Sequence, residues 1–156
     1  MTTPPYDTID RAILHHLQEN ARKSITEIAE ALNVADNTVR NRIEKLENDG
    51  VIRGYRVHID YDQINVQHYY LFSCTARVSE RERLAEKARQ RDGIVEVITL
   101  MTGRENMLIL AVGSEKDEMT DLASELDELG LSIEREHLIR EHMRQPYVGF
   151  ALENNI

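Results

Sequence analysis

The stretch NVADNTVRNRIEKLENDGVIRGY, at residues 33–55, decides how the first part of the chain folds. Val39, Ile43 and Leu46 recur at the i, i+4 and i+7 positions of one helix side, which predicts a helix over residues 36–49. Gly50 follows, where a left-handed residue commonly ends a helix. The opposite side is polar and consists of Asn37, Asn41, Glu44, Lys45 and Asn48, with Thr38, Arg40 and Arg42 on its flanks.

Two further helices are predicted before this one. The segment IDRAILHHLQEN has an apolar stripe that includes Ile9 and Ile13, and ARKSITEIAEALNV begins with a capping box formed by Ser24 and Glu27. Only the residues NVAD separate the second helix from the third, and such a tight break is typical of a helix-turn-helix. After Gly50, VIRGYRVHID predicts a two-stranded wing or a bent strand.

The polar side of the third helix has the chemistry that reads base edges in the major groove. Asn can bond adenine at N6 and N7, Arg or Lys can bond guanine at O6 and N7, and Glu can accept from cytosine N4. Cations flank the helix at Arg22 and Lys23 and at Arg53 and Arg56, where they would hold phosphates. The alternative is a solvated polar face on an ordinary three-helix bundle.

From about residue 61 the pattern changes to alternating strands and helices. The strands are QHYYLFSCTARV, GIVEVITLM, NMLILAVG and SIEREHLIREHM, and the helices are SERERLAEKARQR, with a capping box at Ser79 and Glu82, and EKDEMTDLASELDELG. This βαββαβ order is that of a ferredoxin-like domain. The sequence therefore predicts an α+β protein, with a winged helix-turn-helix over residues 1–60 and a ferredoxin-like domain over residues 61–156.

The N-terminal part resembles the winged helix-turn-helix of the Lrp/AsnC regulators, the leucine-responsive or feast/famine group. The resemblance rests on an I-D-x-x-I-L opening at residue 9, A-R-x-S at residue 21, T-V-x-x-R-I-x-x-L-E-x-x-G-V-I at residue 38, and the Gly54–Tyr55 pair. Downstream, LMTGRENMLILAV is similar to the family's effector-binding and oligomerising domain, in which a Thr-Gly turn joins the second and third strands.

The resemblance implies a sequence-specific DNA-binding transcriptional regulator that is a homodimer, often assembles into tetramers or octamers, binds palindromic promoter sites and often responds to an amino acid. The resemblance implies that Thr38, Arg40, Asn41 and Lys45 contact DNA, and the full set of candidate DNA-contacting residues also contains Arg22, Lys23, Asn37, Arg42, Arg53, Tyr55 and Arg56. For Arg42, which lies nearer the apolar side, structural support is an equal alternative. The implied effector-binding residues are Thr102, Gly103, Arg104, Glu105 and Asn106.

Two departures from the family pattern bear on these roles. Ala35 stands where the family commonly caps the recognition helix with Ser, so either Asp36 supplies the cap or capping is weaker by about 1 kcal/mol. Asn106 stands where the effector turn usually has Asp, and a neutral amide accepts more weakly from an ammonium group than a carboxylate does. Amino-acid sensing, another effector, or none are all compatible with this turn.

Composition limits the other possibilities. The formal net charge is −9, with 8 cationic and 10 anionic side chains in residues 1–60 and 11 and 18 in residues 61–156. Only 4 Lys accompany 15 Arg; this composition fits a halophile's cytoplasm of molar salt or an ordinary acidic surface. The start lacks a signal peptide and no run could span a membrane, which predicts a cytoplasmic protein. Cys74, in an apolar run, is expected to be an inert buried thiol.

No cofactor, metal site or enzymatic activity is predicted. His137 and His142 would lie on opposite faces of one strand, and no nucleophile with a base or phosphate-binding glycine loop is present. The alternatives to a specific regulator are a weakly specific, chromatin-like DNA-binding oligomer, a small-molecule sensor, and an enzyme on the ferredoxin-like part. Tyr147, Val148, Phe150 and Leu152 form either an arm that packs on a partner subunit or a frayed tail.

Overall fold

The computed structural model of the chain describes residues 6–150. They form two compact units, one made of residues 6–58 together with 143–150 and the other of residues 59–142. The division at residues 58 and 59 lies close to the domain boundary expected after residue 60. Residues 143–150, expected from the sequence to belong to the second domain, are part of the first unit in the structure.

The first unit contains three helices, α1 (Thr8–Glu19), α2 (Ile25–Leu32) and α3 (Asp36–Asn48). The predicted capping box of α2 is present, since the Ser24 side chain accepts from the Glu27 N–H and Glu27 accepts from the Ser24 N–H. A second capping box, between Asp7 and Asp10, starts α1. The core of the unit consists of Ile13, Ile28, Ala29, Val39 and Leu46.

Gly50 ends α3 in the left-handed conformation, with φ of 70°. The N–H groups of Val51 and Ile52 both donate to the Leu46 carbonyl, which closes the last turn of α3. The predicted wing strands are wrong for this structure, because residues 51–60 contain no β-strand. Most of their side chains are exposed, so this segment has no buried face that would fix a strand register.

The second unit has the predicted βαββαβ order. Its elements are β1 (His68–Thr75), α4 (Arg81–Arg89), β2 (Ile94–Thr99), β3 (Met107–Gly113), α5 (Lys116–Glu128) and β4 (Ser132–Leu138), and a short 3-10 helix covers Asp62–Ile64. All strand pairs are antiparallel, in the order β2-β3-β1-β4, with Phe72 of β1 opposite Ile109 of β3. The ferredoxin-like prediction is confirmed.

Both helices of this unit pack on the same face of the sheet. Alternate residues of β1 and β3, including Phe72, Cys74, Met107 and Ile109, are buried against apolar side chains of α4 and α5. The intervening residues of these strands point to the other face, because successive side chains of a strand alternate. That second face carries Leu71, Leu108, Leu110 and Val112.

The start of α4 and the end of β4 differ from the sequence-based prediction. Helix α4 begins after Glu80 without a side-chain cap, so the capping box predicted for Ser79 and Glu82 is wrong. Strand β4 ends at Leu138, so His142, expected on this strand, lies beyond it and its Nδ1 is 3.2 Å from the Tyr69 hydroxyl. Among residues 6–150, no cluster of His, Cys, Asp and Glu side chains could hold a metal ion.

The C-terminal segment of the described chain lies along α1. The backbone N–H of Tyr147 donates to Gln18 Oε1 at 3.2 Å, and the rings of Tyr147 and Phe150 meet edge to face. This contact within the chain was not among the sequence-based alternatives of a partner-bound arm or a frayed tail. Leu152, also assigned to that arm, lies outside the described residues.

Cys74 is fully buried in the core of the second unit, as predicted. Burial, together with the nearby charge of Glu134, raises the pKa of its thiol to about 12. Because the thiolate is the reactive form of cysteine, this thiol is inert at neutral pH. Within residues 6–150, no helix combines the length and the apolar character needed to cross a membrane.

Candidate nucleic-acid interface

The exposed side of α3 presents a continuous set of polar side chains. Asn37, Asn41, Glu44 and Asn48 follow one another at spacings of four, three and four residues, so they form one stripe along the helix, with Arg40 beside it. We call these five residues the reading face. All five are exposed, and within residues 6–150 none of their side chains has a hydrogen bond or ion pair. Their donors and acceptors are available to a ligand.

The start of α3 has no side-chain cap. Ala35 occupies the N-cap position and cannot accept from the first turn. The Asp36 carboxylate accepts instead from the Thr26 hydroxyl at 2.7 Å, which links the first turns of α2 and α3. Of the two alternatives raised by the sequence, weaker capping is therefore the one that the structure has. Thr38, another expected contact, lies half-buried in this first turn.

Arg42 does not belong to the reading face. Its Nη1 atom lies 2.6 Å from Asp7 Oδ2 and 3.0 Å from both carboxylate oxygens of Asp10. Asp10 is only 1% exposed. A bond from the Asp10 N–H, with a smaller effect from the Arg42 guanidinium, lowers the pKa of Asp7. Of the two roles that the sequence left open for Arg42, the contacts favour structural support.

Two lysines of the expected interface also have partners within the chain. The Lys45 ammonium lies 5.6 Å from the centre of the Tyr6 ring, a cation–π contact. Lys23 Nζ lies 2.8 Å from His16 Nδ1, so it donates to a neutral imidazole. Burial, and then the Lys23 charge, lower the pKa of His16. Both contacts leave the lysine charge itself uncancelled.

Around residues 51–60 the expected contacts divide into two kinds. The Tyr55 hydroxyl donates to Glu47 Oε1 at 2.8 Å, and this bond ties the segment after α3 to the helix itself. Burial and the Glu47 carboxylate raise the pKa of Tyr55 to about 12, so the phenol stays protonated. Arg53 and Arg56, and likewise Arg22 before α2, are exposed and have no ion pair within residues 6–150.

The expected effector turn, residues 102–106, lies between β2 and β3. Thr102, Gly103 and Arg104 are exposed, and Gly103 has φ of 98°. Arg104 lies 3.6 Å from Glu134, while its backbone carbonyl accepts from the Thr75 hydroxyl. Glu105 pairs with Arg135. A hydrogen bond from Ser73, and then the pairing with Arg135, lower the pKa of Glu105.

Asn106 has a different role from its neighbours in this turn. It is 7% exposed, its Oδ1 accepts from the Ala76 N–H at 2.9 Å, and its Nδ2 donates to the Ala76 carbonyl at 2.8 Å. Its own N–H donates to the Cys74 carbonyl. The Asn106 side chain thus joins the start of β3 to the segment after β1, and its amide is not free to bind an effector.

The chain is similar to known HTH-type transcriptional regulators. A family model described as winged helix-turn-helix DNA-binding matches residues 6–53. An uncharacterized HTH-type transcriptional regulator of Pyrococcus furiosus is 34% identical over 113 residues, which are 72% of this chain and 76% of that protein. The HTH-type transcriptional regulator LrpA of Pyrococcus horikoshii is 26% identical over 118 residues, which cover 76% and 83% of the two chains. The chain belongs to the Lrp/AsnC family of transcriptional regulators.

A solved Lrp/AsnC structure shows the same fold. The leucine response regulatory protein LrpA of Mycobacterium tuberculosis aligns with a TM-score of 0.77 over 90% of this chain and 96% of that one, at 18% identity. The resemblance inferred from the sequence is confirmed, and the protein is a DNA-binding transcriptional regulator.

Some residues that shape this candidate interface are not predicted from the sequence. Asp7 and Asp10 hold Arg42, Glu47 holds Tyr55, and Tyr6 lies under Lys45. A signal for Asp10 was available, because it stands beside Ile9 and Ile13 on a helix side that is otherwise apolar. A carboxylate at such a position needs a partner when it is buried. Which cation would supply it was not visible from the sequence.

Proposed function

We propose that this Lrp/AsnC regulator recognises a specific DNA sequence by placing the reading face of α3 in the major groove. The observation that supports the proposal is the set of exposed amides and charges at Asn37, Arg40, Asn41, Glu44 and Asn48, whose groups are not used within the described chain. Asparagine amides match adenine, a guanidinium matches guanine, and a carboxylate matches the cytosine amino group. Thr38 and Lys45 contact the DNA at the flanks of this face.

The phosphates on either side of the groove are held by Arg22 and Lys23 at one flank and by Arg53 and Arg56 at the other. These cations supply affinity and fix the orientation of the protein, but they do not read sequence. Tyr55 acts mainly by holding the segment after α3 against Glu47, which keeps Arg53 and Arg56 near the helix. The regulator acts in the cytoplasm, where its DNA is.

A selection of binding sites from a random duplex pool tests the reading face. We expect it to recover one sequence motif, and Asn41→Ala should relax the preference at one base position at a cost of about 1–3 kcal/mol. Recovery of no motif by the folded protein would contradict sequence-specific recognition and support weakly specific, chromatin-like binding. Equal loss on every sequence for Asn41→Ala would remove Asn41 from the reading face.

A palindromic DNA site is read by two copies of the chain. We propose that the homodimer forms through the open face of the second unit's sheet, the face without helices. Both helices lie on the opposite face, whereas Leu71, Leu108 and Val112 remain half-buried and Ile98 is exposed on this one. A two-fold axis brings the same apolar patch of two copies together. Two half-sites about one helical turn apart, or a multiple of that, then form a palindrome.

Sedimentation velocity tests the dimer. We expect the wild-type protein to sediment as a dimer or a larger even assembly, and Leu108→Lys to dissociate it because a charge would be buried in the interface. Arg89→Gln, on an exposed part of α4, is the control and should leave the mass unchanged. A wild-type monomer, or a Leu108→Lys dimer, would contradict this interface.

The turn at residues 102–106 is proposed to bind an amino-acid effector. Arg104, which is 83% exposed on its side chain, and the adjacent Glu105 offer one cation and one anion to the two charged groups of such a ligand. Calorimetric titration with each common amino acid tests this. We expect one of them to bind wild-type protein and to bind Arg104→Ala more weakly. No heat from any amino acid would contradict the proposal.

A further inference from the structure

We infer that Arg42 is a positioning residue, which fixes the rotation of α3 about its own axis through the buried Asp10, and that it does not itself contact DNA. This inference rests on the proposed function of the reading face. It assigns to Arg42, Asp7 and Asp10 a role in sequence discrimination that acts entirely through the geometry of α3. We call these three residues the clamp.

The helical wheel separates Arg42 from the reading face. Successive residues of a helix are rotated by about 100°, which puts Arg42 about 130° from the centre of the stripe formed by Asn37, Asn41, Glu44 and Asn48. Arg42 instead stands beside the buried Val39 and Leu46. While the reading face lies in the groove, the Arg42 guanidinium therefore extends back towards the start of α1.

The clamp is directional in a way that the apolar contacts of α3 are not. Val39 and Leu46 decide which side of the helix is buried, but the hydrophobic effect has no preferred direction. Arg42 Nη1, in contrast, lies within 3.0 Å of three carboxylate oxygens. Charge-assisted hydrogen bonds of this kind are short and sensitive to geometry. They resist small rotations of α3 that the apolar core would accommodate.

The carboxylates are themselves fixed. Asp7 Oδ1 accepts from the Asp10 N–H, and Asp10 Oδ2 accepts from the Asp7 N–H, each at 3.0 Å. The same two side chains thus cap α1 and bond Arg42, so they fix the position of α3 relative to the first turn of α1. Asp10 is 1% exposed, which leaves it no solvent to replace the guanidinium.

Small rotations matter for reading bases. Side-chain tips lie about 5–6 Å from a helix axis, so a rotation of about 20° moves them by roughly 2 Å. Such a displacement breaks a bidentate contact with a base edge, whereas long phosphate-binding side chains can follow it. Loss of the clamp should therefore reduce discrimination between sequences more than it reduces binding to arbitrary DNA.

The experiment compares Arg42→Gln, Asp10→Asn and Arg53→Gln in the full-length protein. The probes are the duplex recovered from the selection and a random-sequence duplex, and circular dichroism monitors folding. We expect Arg42→Gln and Asp10→Asn each to lower the affinity ratio between the two duplexes at least about fivefold, since one bidentate base contact is worth roughly 5- to 150-fold. The double variant should lose no more than Arg42→Gln alone, because Asp10 acts only through Arg42.

The salt dependence on the random duplex separates positioning from contact. Arg42→Gln should leave the slope of log affinity against log salt unchanged, whereas Arg53→Gln, at a proposed phosphate contact, should reduce it by about 0.9. An equal slope change for Arg42→Gln, or a wild-type affinity ratio for Asp10→Asn, would overturn the inference. If Arg42→Gln does not fold, Arg42→Lys is measured instead, because it keeps a cation beside Asp10 but loses the guanidinium geometry. Its affinity ratio between the selected and the random duplex should fall severalfold. A wild-type ratio would equally overturn the inference.

Failure of the clamp and failure of the proposed reading face give different results. If Asn41→Ala shifts the preferred base while the ratios of the clamp variants stay at the wild-type value, only the clamp is wrong. If Asn41→Ala leaves the preference unchanged, the reading face is wrong and the clamp has no function in recognition.

Discussion

The two units of this regulator use their arginines differently. In residues 59–142, Arg83, Arg89 and Arg91 each lie 2.6–3.6 Å from a glutamate, and Arg104 and Arg135 pair with Glu134 and Glu105. The other described arginines of this unit, Arg77, Arg81 and Arg140, have no ion pair within residues 6–150, so five of its eight arginines are paired. In residues 6–58, Arg22, Arg40, Arg53 and Arg56 have no ion pair within the described chain. Net charge alone therefore says little about DNA binding; what matters is which cations the chain leaves without a counter-charge.

The difference also explains how an acidic protein can bind an acidic polymer. Most of the excess negative charge belongs to residues 61–156, where 18 anionic side chains face 11 cationic ones. At physiological ionic strength, interactions between exposed charges decay over about 8 Å, so a carboxylate farther than this from a phosphate contact adds little repulsion there. Local availability of the cations then dominates.

The largest expected effect tests this comparison directly. Replacing Arg22, Arg53 and Arg56 together by Gln should lower affinity for a random duplex roughly 10²-fold at 0.2 M salt and reduce the salt slope by nearly 3, if each holds one phosphate. Fluorescence anisotropy at several salt concentrations measures both quantities.

The matched control replaces Arg83, Arg89 and Arg91 by Gln, which makes the same change in net charge at cations that already have partners. We expect affinity to stay within about twofold of wild type and the salt slope to stay the same, because these side chains are neutralised and screened. Equal losses in the two triple variants would show that total charge, and not the availability of individual cations, governs binding.

A second prediction concerns the buried polar residue of the second unit. Asn106→Ala removes both hydrogen bonds to Ala76 and leaves a buried N–H and carbonyl unpaired, so it should lower the free energy of unfolding by about 2–3 kcal/mol. Urea denaturation measures this. Asn106→Asp restores the shape but cannot donate to the Ala76 carbonyl when ionised, and should also destabilise. An effect of Asn106→Ala below about 0.5 kcal/mol would contradict the structural role.

The smallest expected effect is a pH dependence in the first unit. Folding lowers the pKa of His16 below its ordinary value of 6.5. At pH values between the folded pKa and 6.5, the unfolded chain therefore binds more protons than the folded one. The contribution of His16 to stability is therefore complete above pH 6.5 and decreases as the pH falls towards the native pKa. Thermal unfolding between pH 5 and 8 should show this slope, and His16→Gln should flatten it. An unchanged slope in the variant would assign the effect to other groups.

The sequence predicted the parts of the fold that depend on local patterns. The i, i+4, i+7 recurrence of Val39, Ile43 and Leu46 located α3, and the Ser24–Glu27 spacing located the start of α2. Alternating apolar residues were enough to identify the strands of the second unit. The sequence did not predict the secondary structure of residues 51–60 correctly. Their β-branched residues suggested strands, but a strand also needs a partner strand and a buried face.

The candidate site was less accessible to sequence reasoning because its contacts join distant positions. Asp7 and Asp10 precede Arg42 by 35 and 32 residues, so no periodicity connects them. Asn106 was judged as a substitute for a ligand-binding carboxylate, yet its two bonds to Ala76 span 30 residues and show it to be part of the framework. The exposed stripe of α3 could be predicted from the sequence, because it depends only on the period of the helix.

One structural feature makes this protein convenient for labelling. The sequence contains a single cysteine, and Cys74 is buried with a pKa of about 12. At neutral pH its thiolate fraction is negligible, so maleimide and nitroxide reagents will not modify it while the protein is folded. A cysteine introduced at an exposed position such as Asn48 will therefore react alone, and distance measurements between two copies can be made without first removing the native thiol.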